Sequence, residues 1–183
     1  MSRLSPPDPS TLSEAQKAVY DAILTGPRGR VRGPLAIWLH SPDLAQRAQE
    51  LGAFCRYGTS LPPRLSELAI LVTAVHWRSG FEWAAHAPVA AAAGLASGHI
   101  EALRRGDDPD FTAPDEQAIF IFARQLLQAR VVSQPAYDRI VELLGVRGAV
   151  DLTGLLGYYS LISMTINVFE IAPADGAPDP FAL

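Results

Sequence analysis

Residues 61–106 contain the signals that decide the fold, and they read LPPRLSELAILVTAVHWRSGFEWAAHAPVAAAAGLASGHIEALRRG. The Pro62-Pro63 pair predicts that a helix begins there, because the first turn of a helix is where proline is tolerated best. Residues 68–75 continue this helix without a charged side chain. Because a helix that lacks a polar face must bury most of its surface, we expect this one in the interior or at a subunit contact.

Two more helices are predicted in the same stretch. Ser79 and Glu82 have the capping-box spacing, in which both side chains accept hydrogen bonds from backbone N–H groups at the start of a helix. The helix that starts at Ser79 is expected to end near Gly94, since glycine commonly follows the last helical residue. A short helix is expected over residues 97–105.

The segments on either side also have helical signals, and strand signals are scarce. Thr11 and Glu14 form another capping-box pattern, which predicts that a helix follows. Residues 26–34 read GPRGRVRGP, and their glycines and prolines predict a loop whose three arginines lie in solvent. Further helices are expected over residues 13–25, 41–57, 114–130, 135–144 and 146–171. The predicted fold class is therefore all-α.

Length, charge and cysteine content exclude several classes of protein. A chain of 183 residues fits one domain, and a net charge of −4 gives no basic field for nucleic acid. The only cysteine, Cys55, excludes an intrachain disulfide and a CxxC redox pair. The polar, proline-rich start is unlike a secretory signal, so a cytoplasmic location is expected. Residues 152–169 lack charge but contain several hydroxyl groups, and we expect a buried helix there and no membrane span.

Four pieces of the opening stretch resemble, in register, the carboxymuconolactone decarboxylase family, which shares its fold with alkylhydroperoxidase D-like proteins. The pieces are residues 64–71 (RLSELAIL), 81–86 (FEWAAH), 93–95 (AGL) and 100–103 (IEAL). The resemblance weakens before residue 34 and after about residue 130. We therefore expect a single domain over residues 1–183 with a core at 34–130 and extensions at both ends.

The resemblance implies an alkylhydroperoxidase D-like fold of about seven to eight helices that assembles as trimers or hexamers. It implies that the uncharged helices at residues 68–75 and 152–169 supply subunit contacts. It also implies a small-molecule substrate and a reaction that needs no metal or organic cofactor.

This chain departs from the peroxidase members of the family at the position of their cysteines. Relative to Glu67, the two CxxC positions fall on Ser79 and Glu82, and the family histidine falls on His86. A disulfide-cycling peroxidase needs a thiolate nucleophile and a second thiol that resolves the intermediate. Cys55 alone does not replace that pair, so peroxidase activity is disfavoured.

Glu67, Glu82 and His86 are the candidate catalytic residues. One helical turn separates Glu82 from His86, so the carboxylate can orient the imidazole and stabilise its protonated form. By analogy with the family reaction, His86 is expected to donate a proton or contact an oxyanion, Glu82 to orient it, and Glu67 to act as a general acid or base. Structural roles stay open: Glu82 as a helix cap, His86 as a core residue, and Glu67 as a partner of Arg56 or Arg64.

Four further side chains are candidates for substrate contacts: His40, His76, Ser79 and Trp83. The alternatives are an ordinary surface position for His40, a helix cap for Ser79 and core packing for Trp83. A metal site built from His76, Glu82 and His86 has suitable ligand types, but it lacks a metal-binding spacing such as HExxH and is not favoured.

The resemblance predicts a decarboxylase that acts on a small carboxylated lactone or related acid by acid–base chemistry. Two alternatives remain open at this point. One is an oligomeric small-molecule-binding protein that keeps the fold without turnover. The other is an isomerase or hydrolase that uses the same acid–base residues, since a fold does not by itself determine a substrate.

Overall fold

The computed structural model describes residues 2–173 and 178–181, and within them every regular element is helical. A single 3₁₀ turn, Pro9–Thr11, precedes eight α-helices. Their bounds are α1 Glu14–Thr25, α2 Pro34–Trp38, α3 Pro42–Tyr57, α4 Pro63–Trp77, α5 Gly80–Ala92, α6 Ser97–Arg105, α7 Pro114–Arg124 and α8 Gln134–Phe169. The predicted all-α class is confirmed.

Helix α4 lies at the centre of the fold. Ten consecutive residues, from Leu65 to Ala74, are buried, and the helix packs against α5, α7 and α8. This explains why residues 68–75 lack charge, since all of them except the half-buried Val75 lie in the interior. The expectation that these residues form a subunit contact is wrong, because the chain buries them itself.

The turn between α4 and α5 sets the direction of the candidate catalytic helix. Arg78 adopts the left-handed conformation (φ 50°) and ends α4, and Ser79 is the N-cap residue of α5. Neither half of the predicted capping box forms: Ser79 makes no capping hydrogen bond, and the Glu82 carboxylate lies against His86. A charged imidazole is a stronger hydrogen-bond donor than a backbone N–H, which accounts for this difference.

The N-terminal helices differ from the prediction in two places. Ser13, not Thr11, caps α1, and its capping-box partner is Gln16: Ser13 Oγ accepts from Gln16 N, and Gln16 Oε1 accepts from Ser13 N. Helix α2 was not predicted. It has only five residues, all of them buried, so tertiary burial and not a periodic pattern determines its conformation.

The C-terminal half follows the prediction closely. The predicted helix over residues 114–130 is α-helical through Arg124 and continues as a π-helical turn, Gln125–Ala129. The predicted break between the last two helices lies at Gly145, whose φ of 71° and ψ of 173° interrupt the helical geometry within α8. No helix in the described parts of the chain is long and apolar enough to cross a membrane.

Candidate active site

His86 lies between two carboxylates inside the protein. Its Nδ1 is 2.7 Å from Oε2 of Glu67, and its Nε2 is 3.3 Å from Oε2 of Glu82. The three residues are at most 6% exposed. Glu82 and His86 lie one turn apart on α5, and Glu67 reaches His86 from α4, which packs beside α5. The structure therefore brings together all three candidate catalytic residues.

The two carboxylates keep His86 protonated at neutral pH. Burial by itself lowers the pKa of His86, but the hydrogen bonds to Glu67 and Glu82 and the charges of both carboxylates outweigh burial and raise the pKa to about 9. Both ring nitrogens then carry a proton, and each proton has a carboxylate acceptor. The arrangement is a buried imidazolium that can release a proton and regain it.

Two tyrosines of α8 pack beside this group. The ring of Tyr159 meets His86 edge-on at 5.2 Å between centroids, and Tyr158 meets Tyr159 in the same way at 5.4 Å. Burial and then the charge of Glu82 raise the pKa of Tyr159 well above its ordinary value. Tyr159 therefore remains a neutral phenol and can donate a hydrogen bond.

A small cavity of about 100 Å³ opens onto this group. Glu82 and His86 line it, whereas Glu67 approaches His86 from behind and is not among the lining residues. Four arginines, four aromatic side chains and four apolar residues complete the wall: Arg28, Arg30, Arg32, Pro34, Leu35, Arg56, Tyr57, Phe81, Ala85, Tyr158, Tyr159 and Ile162.

The arginines of this wall were missed from the sequence. Arg28, Arg30 and Arg32 belong to the loop whose arginines were expected in solvent, and that expectation is wrong for Arg28 and Arg32, which are partly buried. Nη2 of Arg28 donates to the hydroxyl of Tyr158 at 3.2 Å. The one available signal was the density of arginines in a short glycine- and proline-rich loop, and nothing local connects that loop to α8.

Four other candidates do not line this cavity. His40 is exposed, and its Nε2 lies 2.9 Å from the backbone oxygen of Ser5. His76 lines a different cavity, and burial lowers its pKa. Ser79 is fully buried. Trp83 is buried and packs edge-on against Phe181 at 5.5 Å, so core packing describes it better than a substrate contact.

The metal-site alternative and the pairing of Glu67 with Arg64 find no support in the geometry. Among residues 2–173 and 178–181, no three His, Cys, Asp or Glu side chains form a metal-binding group. Arg64 pairs with Asp115 and Glu116 on α7, not with Glu67.

Cys55 is not a substitute for the missing redox pair. It is 1% exposed, and burial, with the charge of Asp151, raises its pKa to about 11. The thiol is therefore protonated at neutral pH, whereas a peroxidase attacks its substrate with a thiolate.

Comparison with known proteins agrees with this fold and this segment. The chain is similar in structure to an uncharacterized peroxidase-related protein from Silicibacter sp. TM1040, with a TM-score of 0.72 and 13% sequence identity. The superposition covers 95% of this chain and 92% of that protein. At that identity the likeness shows the fold alone. No curated protein matches the chain significantly. Residues 42–125, which include Glu67, Glu82 and His86, match the model of the carboxymuconolactone decarboxylase family. The resemblance found in the sequence is therefore confirmed over residues 42–125, and the chain shares the helical fold of the peroxidase-related protein.

Proposed function

We propose that this protein is a cofactor-free decarboxylase that acts on a small carboxylated lactone or a related acid. The observation that carries the proposal is the buried imidazolium of His86, which Glu67 and Glu82 hold at the wall of a small cavity. An acid of this kind supplies the proton that decarboxylation requires. The match of residues 42–125 to the family model supports the choice of reaction class.

The reaction divides into two steps. The bond between the carboxylate and the ring carbon breaks, carbon dioxide leaves, and the bonding electron pair moves through the ring onto the lactone carbonyl oxygen. A proton from Nε2 of His86 then adds to carbon as the carbonyl reforms. The neutral imidazole regains its proton from water, so the enzyme returns to its starting state without a co-reactant.

The geometry favours a different division of roles from the one proposed from the sequence. Glu67 contacts Nδ1 and does not line the cavity, so we assign it the task of orienting and charging the ring. Glu82 contacts Nε2 and lines the cavity, so it lies beside the Nε2 proton that a substrate in the cavity would receive. A hydrogen-bond partner fixed on one ring nitrogen of a histidine determines the protonation and orientation of the other nitrogen.

One residue on the same wall of the cavity is suited to stabilise the oxyanion. Tyr159 lines the cavity as a neutral phenol, and a phenol O–H is a suitable donor to an enolate oxygen. A preorganised donor of this type typically contributes a factor of about 10²–10³ in rate. Tyr159→Phe would remove the hydroxyl and keep the ring that packs on His86.

Release of carbon dioxide tests the proposal. Wild-type protein, His86→Gln and Glu67→Gln would be incubated with a panel of carboxylated lactones and related small acids. The matched control is His76→Gln, the same substitution at a histidine that lines a different cavity. We expect turnover by wild type and control, and a loss of at least about 100-fold in kcat for His86→Gln.

Three outcomes would contradict the proposal. If folded His86→Gln releases carbon dioxide as fast as wild type, His86 is not the proton donor. If the panel yields rearranged or hydrolysed products without carbon dioxide, the chain is an isomerase or hydrolase. Binding without any turnover would favour the small-molecule-binding alternative.

A further inference from the structure

Phe81 lines the cavity beside His86 and belongs to the same helix as His86. It is the second residue of α5 and directly precedes Glu82. Ala85, one helical turn further on, lines the cavity as well, so Phe81 and Ala85 share the face of α5 that borders the cavity. The space that a ligand finds next to His86 therefore depends on the size of the side chain at position 81.

The ring of Phe81 cannot retreat toward the start of α2. A Cβ at Gly33 would lie 2.4 Å from Cζ and 2.8 Å from Cε1 of Phe81, so the tip of the ring rests on the backbone of Gly33. Gly33 also has a φ of 57° and a ψ of −134°, a conformation that residues with a Cβ rarely adopt. Glycine is thus required at position 33 for two reasons, and the backbone that it forms blocks the ring.

The wall that α8 supplies is also closed to movement. Tyr158, Tyr159 and Ile162 line the cavity and are at most 4% exposed. A Cβ at Gly52 would lie 2.0 Å from the Tyr158 hydroxyl, so α3 already contacts this side chain. Close-packed side chains have little free volume into which they can move. The cavity therefore keeps its width between α5 and α8 when a ligand enters.

The volume of the cavity suits one small ring. About 100 Å³ is less than the ~150 Å³ of a cavity that accepts benzene. Arg30 and Tyr57 line the cavity and are exposed, so it reaches the surface and a ligand can extend outward from it. Deeper in, beside Phe81, a further ring fused to the first has no room.

Resting on the proposed function, we infer that Phe81 is a specificity-determining residue whose ring sets the largest ring acid that reaches His86. An acid with a single five-membered ring enters, whereas a substituent or a fused ring on the same acid meets the side chain of Phe81. Hydrophobic pockets distinguish ligands that differ by one methylene by about 10–200-fold. Because neither Phe81 nor the α8 wall can move aside, exclusion of a whole ring is expected to reach at least the lower end of that range.

The two effects of a larger ring oppose each other, which makes the inference testable. A second ring adds apolar surface, and burial of that surface by itself favours binding. A cavity without a size limit would therefore bind the larger of two related acids more tightly. Preference for the smaller acid is the sign of steric exclusion.

Binding of unreactive acids tests the size limit without turnover. The probes are furoate with its carboxylate beside the ring oxygen, the same acid with a methyl group on the other side of that oxygen, and the benzofuran acid, which is furoate with a fused benzene ring. Each is titrated calorimetrically into the full-length protein. The variants are Phe81→Ala and Phe81→Leu. The matched controls are Phe111→Ala and Phe111→Leu, because Phe111 is 8% exposed, close to the 9% of Phe81, and lines a different cavity.

We expect wild type and the Phe111 controls to bind furoate at least about 10-fold more tightly than the benzofuran acid. Phe81→Ala should bind the benzofuran acid at least about 10-fold more tightly than wild type does. Phe81→Leu removes less of the side chain and should gain about 10-fold for the methylated acid, so it carries the test if Phe81→Ala does not fold.

Four results would overturn the inference. They are a wild type that binds the benzofuran acid as tightly as furoate, folded Phe81 variants that keep the wild-type preference, Phe111 variants that change it in the same way, and failure of every acid to bind both wild type and the Phe81 variants.

Glu67→Gln separates failure of the size limit from failure of the proposed reaction. Glu67 does not line the cavity, so this variant is expected to lose turnover and to keep the wild-type preference among the three acids within about 3-fold. Size-dependent binding that changes with residue 81, without release of carbon dioxide from any acid, would reject the decarboxylase and keep the role of Phe81. Release of carbon dioxide with no dependence of ligand size on residue 81 would reject the role of Phe81 and keep the decarboxylase.

Discussion

Oε2 of Glu67 lies 2.7 Å from Nδ1 of His86, and this hydrogen bond joins the central helix α4 to α5 in the interior of the protein. Both side chains are at most 6% exposed. A buried charge is tolerated only when it is paired, so each of the two depends on the other. Removal of either partner is therefore expected to destabilise the protein as well as to disturb the chemistry proposed for the cavity.

Stability is expected to fall as the pH rises. The pKa of His86 is raised from 6.5 to about 9 in the folded protein, so its contribution is complete below pH 6.5 and is lost as the pH rises through 9. A shift of that size corresponds to about 3 kcal/mol. Urea unfolding at pH 6.5, 8 and 9.5 would measure it.

The matched variant in that experiment is Glu67→Gln. It removes the shortest contact to His86 and should flatten the dependence of unfolding free energy on pH between 6.5 and 9. A wild-type protein whose stability does not change over this interval would show that His86 is neutral in the folded state.

The sequence predicted the candidate catalytic residues better than the cavity around them. Glu67 and His86 were identified from the resemblance, and the spacing of Glu82 and His86 placed them on one face of a helix. Arg28 was missed because its partner, Tyr158, lies 130 residues away in the sequence. A tertiary contact of that kind leaves no periodic or local signal.

The predicted helix positions agree with the structure where the local sequence signals allowed only one position. The predicted helix over residues 97–105 and the predicted break between residues 144 and 146 are confirmed. The capping box at Ser79 failed because Glu82 had a stronger partner inside the fold. The five-residue helix Pro34–Trp38 was missed because it is too short for a periodic pattern.

Gly52→Ala is expected to disturb the cavity. The added Cβ would overlap the Tyr158 hydroxyl and Arg28 Nη2, and both side chains would have to shift, so we expect a loss of about 1–3 kcal/mol. The control is Gly154→Ala on α8, where a Cβ meets nothing within 4 Å and should stabilise the helix by about 0.5–1 kcal/mol. Thermal unfolding and calorimetry of both variants check this, and a Gly52→Ala protein as stable as wild type would contradict the close approach.

Gly80→Ala is expected to release the C-terminal residues from α5. A Cβ at Gly80 would lie 2.3 Å from Oδ1 of Asp179, and Phe181 packs on Trp83 in the same region. The near-ultraviolet circular dichroism should change, while global stability falls by less than about 1 kcal/mol because the contact is near the chain end. Gly98→Ala, at an open helical position, is the control. An unchanged tryptophan spectrum for Gly80→Ala would contradict the packing.

Cys55 is expected to be chemically inert in the native protein. Its burial and its pKa of about 11 leave almost no thiolate at neutral pH. An aromatic disulfide reagent should titrate one thiol in urea and react with native protein at least about 100-fold more slowly. Hydroperoxide consumption by wild type should equal that of Cys55→Ala. Faster consumption by wild type would show a thiol reaction that this structure does not explain.

Nitrogen-15 NMR of the histidine rings shows whether His86 is an imidazolium held between Glu67 and Glu82. We expect both ring nitrogens of His86 to be protonated at pH 7.5, the ring to titrate near pH 9, and Glu67→Gln to lower this pKa. A His86 ring that is neutral at pH 7.5, or that titrates at or below pH 6.5, would show that the two carboxylates do not hold a charged imidazole.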